Sequence, residues 1–115
     1  MVLNSQLSPS SGVTYMVKVY VKVHRSGGAV IVAVCDEELL GKTLAENTIK
    51  FKVSEDFYGG DLVDINEAIE LIKSAYVANL IGKNIVEAAI KANLVLRESV
   101  IYIDGIPHAQ VINYE

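Results

Sequence analysis

This chain has almost no cysteine: Cys35 stands alone among 115 residues. One thiol cannot build a disulfide framework, and it cannot by itself build a thiolate metal site. It ends the apolar run Ala29–Cys35, where a buried structural thiol is expected. Histidine is nearly as scarce, with only His24 and His108. No His or Cys pair has ligand spacing, so no metal and no cofactor are expected. Long apolar runs are missing too. Each breaks within about eight residues, far short of the ~20 that a membrane-crossing helix needs, so no membrane partner is expected. The opening MVLNSQLSPSSG lacks the basic start and apolar core of a secretory signal, which makes the cytoplasm the expected location. Bases are outnumbered, 10 Lys and Arg against 14 Asp and Glu, for a net charge of −4. That argues against strong non-specific nucleic-acid binding, and no DNA partner is expected.

What is present is a large apolar content, 51% of the chain, enough for one globular domain at this length. Residues 1–13 are Ser-rich with Pro9 and Gly12 and show no period. We expect a flexible arm there and a single domain over residues 14–115. The charges segregate. Glu55, Asp56, Asp61, Asp64, Glu67 and Glu70 fall together with no base among them, whereas Lys18, Lys22 and Arg25 sit in a stretch with no acid.

The clearest pattern runs from Tyr15 to Arg25. Val17, Val19, Val21 and Val23 alternate with Lys18, Tyr20, Lys22 and His24. Side chains in a strand point alternately to opposite faces, so this predicts a half-buried strand over about 14–25. Ser26-Gly27-Gly28 predicts a tight turn, and Ala29–Cys35 a central strand apolar on both faces. DEELLGKTLAEN reads as a polar loop with one helical turn at Glu37–Leu40. Thr48–Val53 alternates again, with Lys50 and Lys52 on its polar side. After the loop SEDFYGGD, Asp64 with Glu67 three residues on predicts a capped helix through Ile65, Ile69, Ile72 and Tyr76. Val77–Ile81 predicts a strand. Asn84 with Glu87 predicts a second capped helix to about Asn93. Val100–Ile103 predicts a strand, Asp104-Gly105 a two-residue turn, and a last strand from Ile106. Pro107 cannot donate to a ladder, which places that last strand at an edge. The fold class is α+β: a mixed β-sheet with an N-terminal antiparallel meander, a C-terminal β-α-β unit and hairpin, and two main helices on one sheet face.

Five features are candidate sites. If the strands at 14–25 and 48–53 expose one side of one sheet, Lys18, Tyr20, Lys22, His24, Lys50 and Lys52 form a basic face with a ring for stacking, suited to RNA. Otherwise it is a solvated face that discourages edge pairing. LLGKT (Leu39–Thr43) ends like a phosphate loop, but the glycine five residues before Gly41 is missing; Lys42 is left as one anion contact. Gly82 and Lys83 at the start of the second helix form a generic anion site, or an ordinary turn. His108 and Gln110 share a face of the last strand, where an imidazole suits acid–base work or is simply a polar edge residue. Phe57 and Tyr58, before Gly59-Gly60, supply a packed or an exposed ring. No catalytic residues are assigned, because no nucleophile–base–orienter spacing exists.

VKVHRSGG and VAVCDEELLGKT, then DFYGGDLVD, NLIGKN and YIDGIPHAQ together resemble an archaeal family catalogued as domain of unknown function 424. The resemblance covers about residues 16–112. It implies an archaeal, cytoplasmic, single-domain protein without established activity, from a family loosely grouped with RNA-binding or translation-related proteins. It carries no catalytic residues. Three functions follow in order. The first is a small non-catalytic module binding RNA or a ribonucleoprotein. The second is a protein-interaction or accessory subunit using the acidic 55–70 surface or the edge strand. The third is a small-molecule enzyme with a site at the glycine loops, built from His108, Asp104 and Lys42.

Overall fold

The computed structural model describes residues 17–113. The expected arm at 1–13 and the first residues of the first strand lie outside the described residues. The elements run β1 (Lys18–Ser26), β2 (Ala29–Asp36), a 3-10 turn (Glu37–Leu39), β3 (Thr43–Glu46), β4 (Ile49–Lys52), and α1 (Glu55–Tyr58). They continue with β5 (Asp61–Asp64), α2 (Ile65–Ser74), β6 (Val77–Ile81), α3 (Lys83–Lys91), a second 3-10 turn (Arg97–Ser99), β7 (Ile101–Ile103) and β8 (Ile106–Ile112). Six strands form one mixed sheet in the order β5-β1-β2-β6-β8-β7, and β3 and β4 form a separate hairpin. The architecture is α+β. Among the described residues no helix is long and apolar enough to cross a membrane.

Period two decides which side of each strand is buried. Val19 and Val21 of β1 join Val32 and Val34 of β2, Ala78 and Leu80 of β6, and Ala109 and Val111 of β8. α2 and α3 cover this side with Ile65, Ala68, Ile69, Ile72, Ile85, Val86 and Ala89. Both main helices therefore pack on one face, as the valine side of β1 requires. β2 is central, with parallel β6 on one flank and antiparallel β1 on the other. The Asp64 carboxylate caps α2 by accepting from Glu67 N at 2.9 Å. Tyr76, expected inside this helix, lies beyond its end and is exposed.

The structure departs from the sequence pattern in three places. The N-terminal meander does not form, because the strand with Lys50 and Lys52 leaves the sheet to pair with β3, inside the expected polar loop. The place beside β1 goes to β5, from the stretch Asp61–Asp64. The C-terminal β-α-β unit is split. β6 and β7 run parallel, but β8 lies between them and is antiparallel to both. The strand carrying Pro107 is therefore internal, and the edge is β7. Pro107 is tolerated on the β6 side because its carbonyl accepts from Gly82 N at 2.9 Å, while the Gly82 carbonyl, which needs no donor from Pro107, accepts from Val86 N at 3.0 Å. On the β7 side the turn at Asp104-Gly105 closes on the hydrogen-bonded pair Ile103–Ile106, which makes Tyr102–Pro107 a pair needing no bond.

Candidate functional site

The sheet side opposite the helices holds the candidate residues. A second core covers it, made by Ala33, Cys35 and Ile81 of the sheet with Leu39, Leu44, Val53 and Tyr58 from the crossing segment. Leu44 and Phe51 face each other across the β3–β4 hairpin and point inward. The hairpin and α1 thus form a flap over half of the polar face of β1, and that face is engaged from within. Tyr20 is half-buried against this core. Lys22 Nζ donates to Asp56 O at 2.8 Å. The His24 ring stacks on Phe57, with centroids 4.8 Å apart and planes at 17°. Its Nε2 donates to Phe57 O at 2.8 Å, since a carbonyl only accepts. Lys18 stays exposed.

The six residues proposed as one basic face thus divide. Lys22, His24 and Tyr20 hold the flap. Lys50 and Lys52 lie on the outer side of the hairpin, because β4 belongs to a different sheet. Thr43 and Ala45 share that outer side, and all four are exposed. Lys42 precedes them, also exposed, and its backbone carbonyl accepts from Val53 N at 2.8 Å.

DFYGGD closes the flap. Ser54 caps α1 by accepting from Phe57 N at 3.1 Å. Tyr58 is buried, and its hydroxyl donates to Asn79 Oδ1 at 2.5 Å. His108 Nε2 donates to the same oxygen at 3.1 Å. Phe51 meets His108 edge-on, with centroids 5.6 Å apart. Burial pushes the Tyr58 hydroxyl pKa up and the His108 pKa down, so both groups are neutral near pH 7. The Cys35 thiol, buried in the same core, is pushed up to about 12 by burial and then by Asp36. It is a packed thiol and not a thiolate. Gly60 is forced by close approach: a Cβ there would lie 2.0 Å from Val21 O.

The anion site expected at Gly82 and Lys83 is already filled by the chain. Asp36, fully buried at the end of β2, accepts from Asn84 N at 2.8 Å and from Ile85 N at 2.9 Å. This carboxylate caps α3, in place of the expected Asn84 cap, and meets the positive end of the helix dipole. Burial still raises its pKa, opposed by those two hydrogen bonds. Gly82, at φ 126°, leaves no room for a Cβ beside the carboxylate. Lys83 is exposed.

Gln110 is exposed on β8, paired with Asn79 across the ladder. His108 has Asn79 and Phe51 beside it, where an acid–base site at the loop ends needs carboxylates. Asp104 lies in the β7–β8 turn, with its N–H donating to Glu46 Oε1 at 2.6 Å. Among the described residues no group of three or more His, Cys, Asp or Glu side chains is placed to hold a metal ion. The acids at 55–70 spread over α1, β5 and α2, and Asp64 is spent on its cap. Asp36 and Asn79 were missed from sequence. The signal for Asn79 was its place as the one polar residue in Val77–Ile81. Asp36 gave none, because its partners lie 48 and 49 residues away.

Residues 24–114 match the family model described as "Protein of unknown function (DUF424)". No curated protein matches. The fold is similar to the crystal structure of an uncharacterized conserved protein from Methanopyrus kandleri. That match has a TM-score of 0.72 and 26% identity, and it covers 85% of this chain and 95% of that one.

Proposed function

We propose that this chain, which belongs to the DUF424 family, is a small non-catalytic module that binds RNA or a ribonucleoprotein through the outer side of its β3–β4 hairpin. One observation carries the reading. Lys50 and Lys52 stand two residues apart on one strand, about 7 Å along it, with Thr43 and Ala45 across from them in the hairpin, and Lys52 shares a cleft with Glu55 and Asp56. Among the described residues neither lysine enters an ion pair. Free lysines on a rigid hairpin suit successive phosphates of a single strand, a contact that positions without reading sequence. Ribonucleoproteins of translation are the first partners to test.

The experiment is a salt titration of binding to a single-stranded oligoribonucleotide. Reversing both charges, Lys50→Glu with Lys52→Glu, removes about two phosphate contacts. The slope of log K against log salt should then fall by about 1.4. No retention of RNA at low salt, or an unchanged slope in the double variant, overturns the reading.

A second reading, a protein-interaction subunit, draws on the edge strand. Ile101 and Tyr102 of β7 are 57% and 59% exposed, and Leu96 before them is 66% exposed. A partner held there co-purifies whether or not nuclease is added, and Tyr102→Glu releases it.

A further inference from the structure

A cleft of about 540 Å³ opens on the helix side of the sheet, where the β1–β2 turn meets the end of α2. Gly27, Gly28, Val30, Lys73, Tyr76 and Asn113 are among its walls. Its volume is in the range of small-molecule sites.

Tyr76 is 51% exposed, yet its backbone is fixed at both ends. Its N–H donates to Val30 O at 2.9 Å, and its carbonyl accepts from Asn113 N at 2.9 Å. The ring is therefore carried on rigid backbone beside an open space. Asn113 Nδ2 donates to Ile72 O at 3.1 Å and to Ala75 O at 2.7 Å. Both amide protons are used, which fixes the orientation of the amide and leaves Oδ1 as an acceptor with no donor among the described residues. One cation, Lys73, lines the cleft, and a second, Arg25, lies on the neighbouring strand. Among the described residues Lys73 is paired only with Glu70, at 3.3 Å and with both side chains exposed, a pair easily exchanged for a ligand anion. Arg25 pairs with Val30 across the ladder. Cross-strand partners share a face, so Arg25 projects to the side on which Val30 lines the cleft. The wall at Gly27-Gly28 is open: a Cβ at either position would meet nothing within 4 Å.

An aromatic ring on fixed backbone, a fixed acceptor and the Lys73 cation line one cleft, with Arg25 on the strand beside it, and together they match the three parts of a nucleotide. The base stacks on Tyr76. A base N–H donates to Asn113 Oδ1. The phosphate lies on Arg25 and Lys73. We propose that this cleft binds a nucleotide, either free or as the terminal residue of a single-stranded RNA. The site is separate from the hairpin lysines and does not depend on them.

The test measures binding of AMP, GMP, CMP and UMP, and of a short single-stranded oligoribonucleotide, to the full chain by calorimetry or NMR titration. We expect saturable binding of at least one probe, weakened about tenfold or more by Tyr76→Ala, as loss of base stacking implies. Tyr76→Phe should restore binding, and Arg25→Gln with Lys73→Gln should weaken a nucleotide more than the matching nucleoside. If the oligoribonucleotide binds tighter than any mononucleotide and Tyr76→Ala erases the difference, the source is an RNA end. Equal affinities identify a free nucleotide. No saturable binding of any probe at millimolar concentration overturns the proposal. So does binding that Tyr76→Ala leaves intact. Oligoribonucleotide binding lost only in the Lys50→Glu/Lys52→Glu variant overturns this proposal while sparing the hairpin.

Discussion

Replacing Asp36 by alanine should destabilise the protein out of proportion to the side chain's size. The carboxylate is fully buried and accepts two backbone hydrogen bonds from the first turn of α3. Each bond to a charged acceptor contributes about 1.5–3 kcal/mol. Burial of the charge, which raises the Asp36 pKa, offsets part of that. The net cost expected for Asp36→Ala is about 3 kcal/mol. For a domain near 100 residues this is a fall in Tm on the order of 15 °C. Urea unfolding followed by circular dichroism reads the first quantity, with an unchanged m-value showing that the native state is otherwise preserved. Hydrogen exchange reads the mechanism directly, because the Asn84 and Ile85 amides should lose protection before the rest of α3. Asp36→Asn keeps the volume but sets an NH2 against one of the two N–H donors, so it should lose roughly half as much. Gly82→Ala should be costly alone, since its Cβ would lie 2.3 Å from Asp36 Cγ at a φ of 126°. Its cost should fall when Asp36 is also alanine. A loss below about 1 kcal/mol for Asp36→Ala, or unchanged Asn84 and Ile85 exchange, would refute the view that this carboxylate anchors α3.

Other expectations follow from the flap. Tyr58→Phe removes one of the two donors to Asn79 Oδ1 and should cost about 1 kcal/mol in urea unfolding; a neutral result would show that the bond carries nothing. Gly60→Ala drives a Cβ into the backbone of β1 and should cost about 3 kcal/mol or more. Gly105→Ala, with open space around it at φ 76°, should cost only about 1 kcal/mol; equal losses at the two glycines would contradict the close approach at Gly60. Burial holds the His108 pKa below its ordinary 6.5, so on acidification the unfolded chain takes up the proton first. Stability should therefore decline as pH falls below about 6.5, and His108→Gln should flatten that decline. An unaltered slope between about pH 6.5 and 5 would show that another group is responsible.

Period-two alternation in Val17–His24 fixed which side of β1 is apolar, and the two amphipathic stretches fixed what covers it. Asp64, three residues before Glu67, was readable as a cap because cap and target are neighbours in the chain. Asp104-Gly105 was readable as a turn for the same reason. β3 was not readable: Thr43–Glu46 buries only Leu44, and one inward residue leaves no period. β5 was hidden in the same way, as four residues with none fully buried. The basic face was legible as a set of residues and not as a surface. Alternation says that Lys22 and His24 point away from the valines, but it cannot say what lies over them.

The sequence by itself determined the α+β class, the two helices and the buried side of the central strands, because periodicity and capping act between residues a few positions apart. Only the tertiary structure decided that the hairpin leaves the main sheet. It also turned Lys22 and His24 inward to hold α1, while Lys50 and Lys52 stay outside. It set Asp36 against the start of α3, and it brought Lys73, Tyr76 and Asn113 around one cleft. Those arrangements join residues tens of positions apart, and burial of the two cores settles them once the chain has closed.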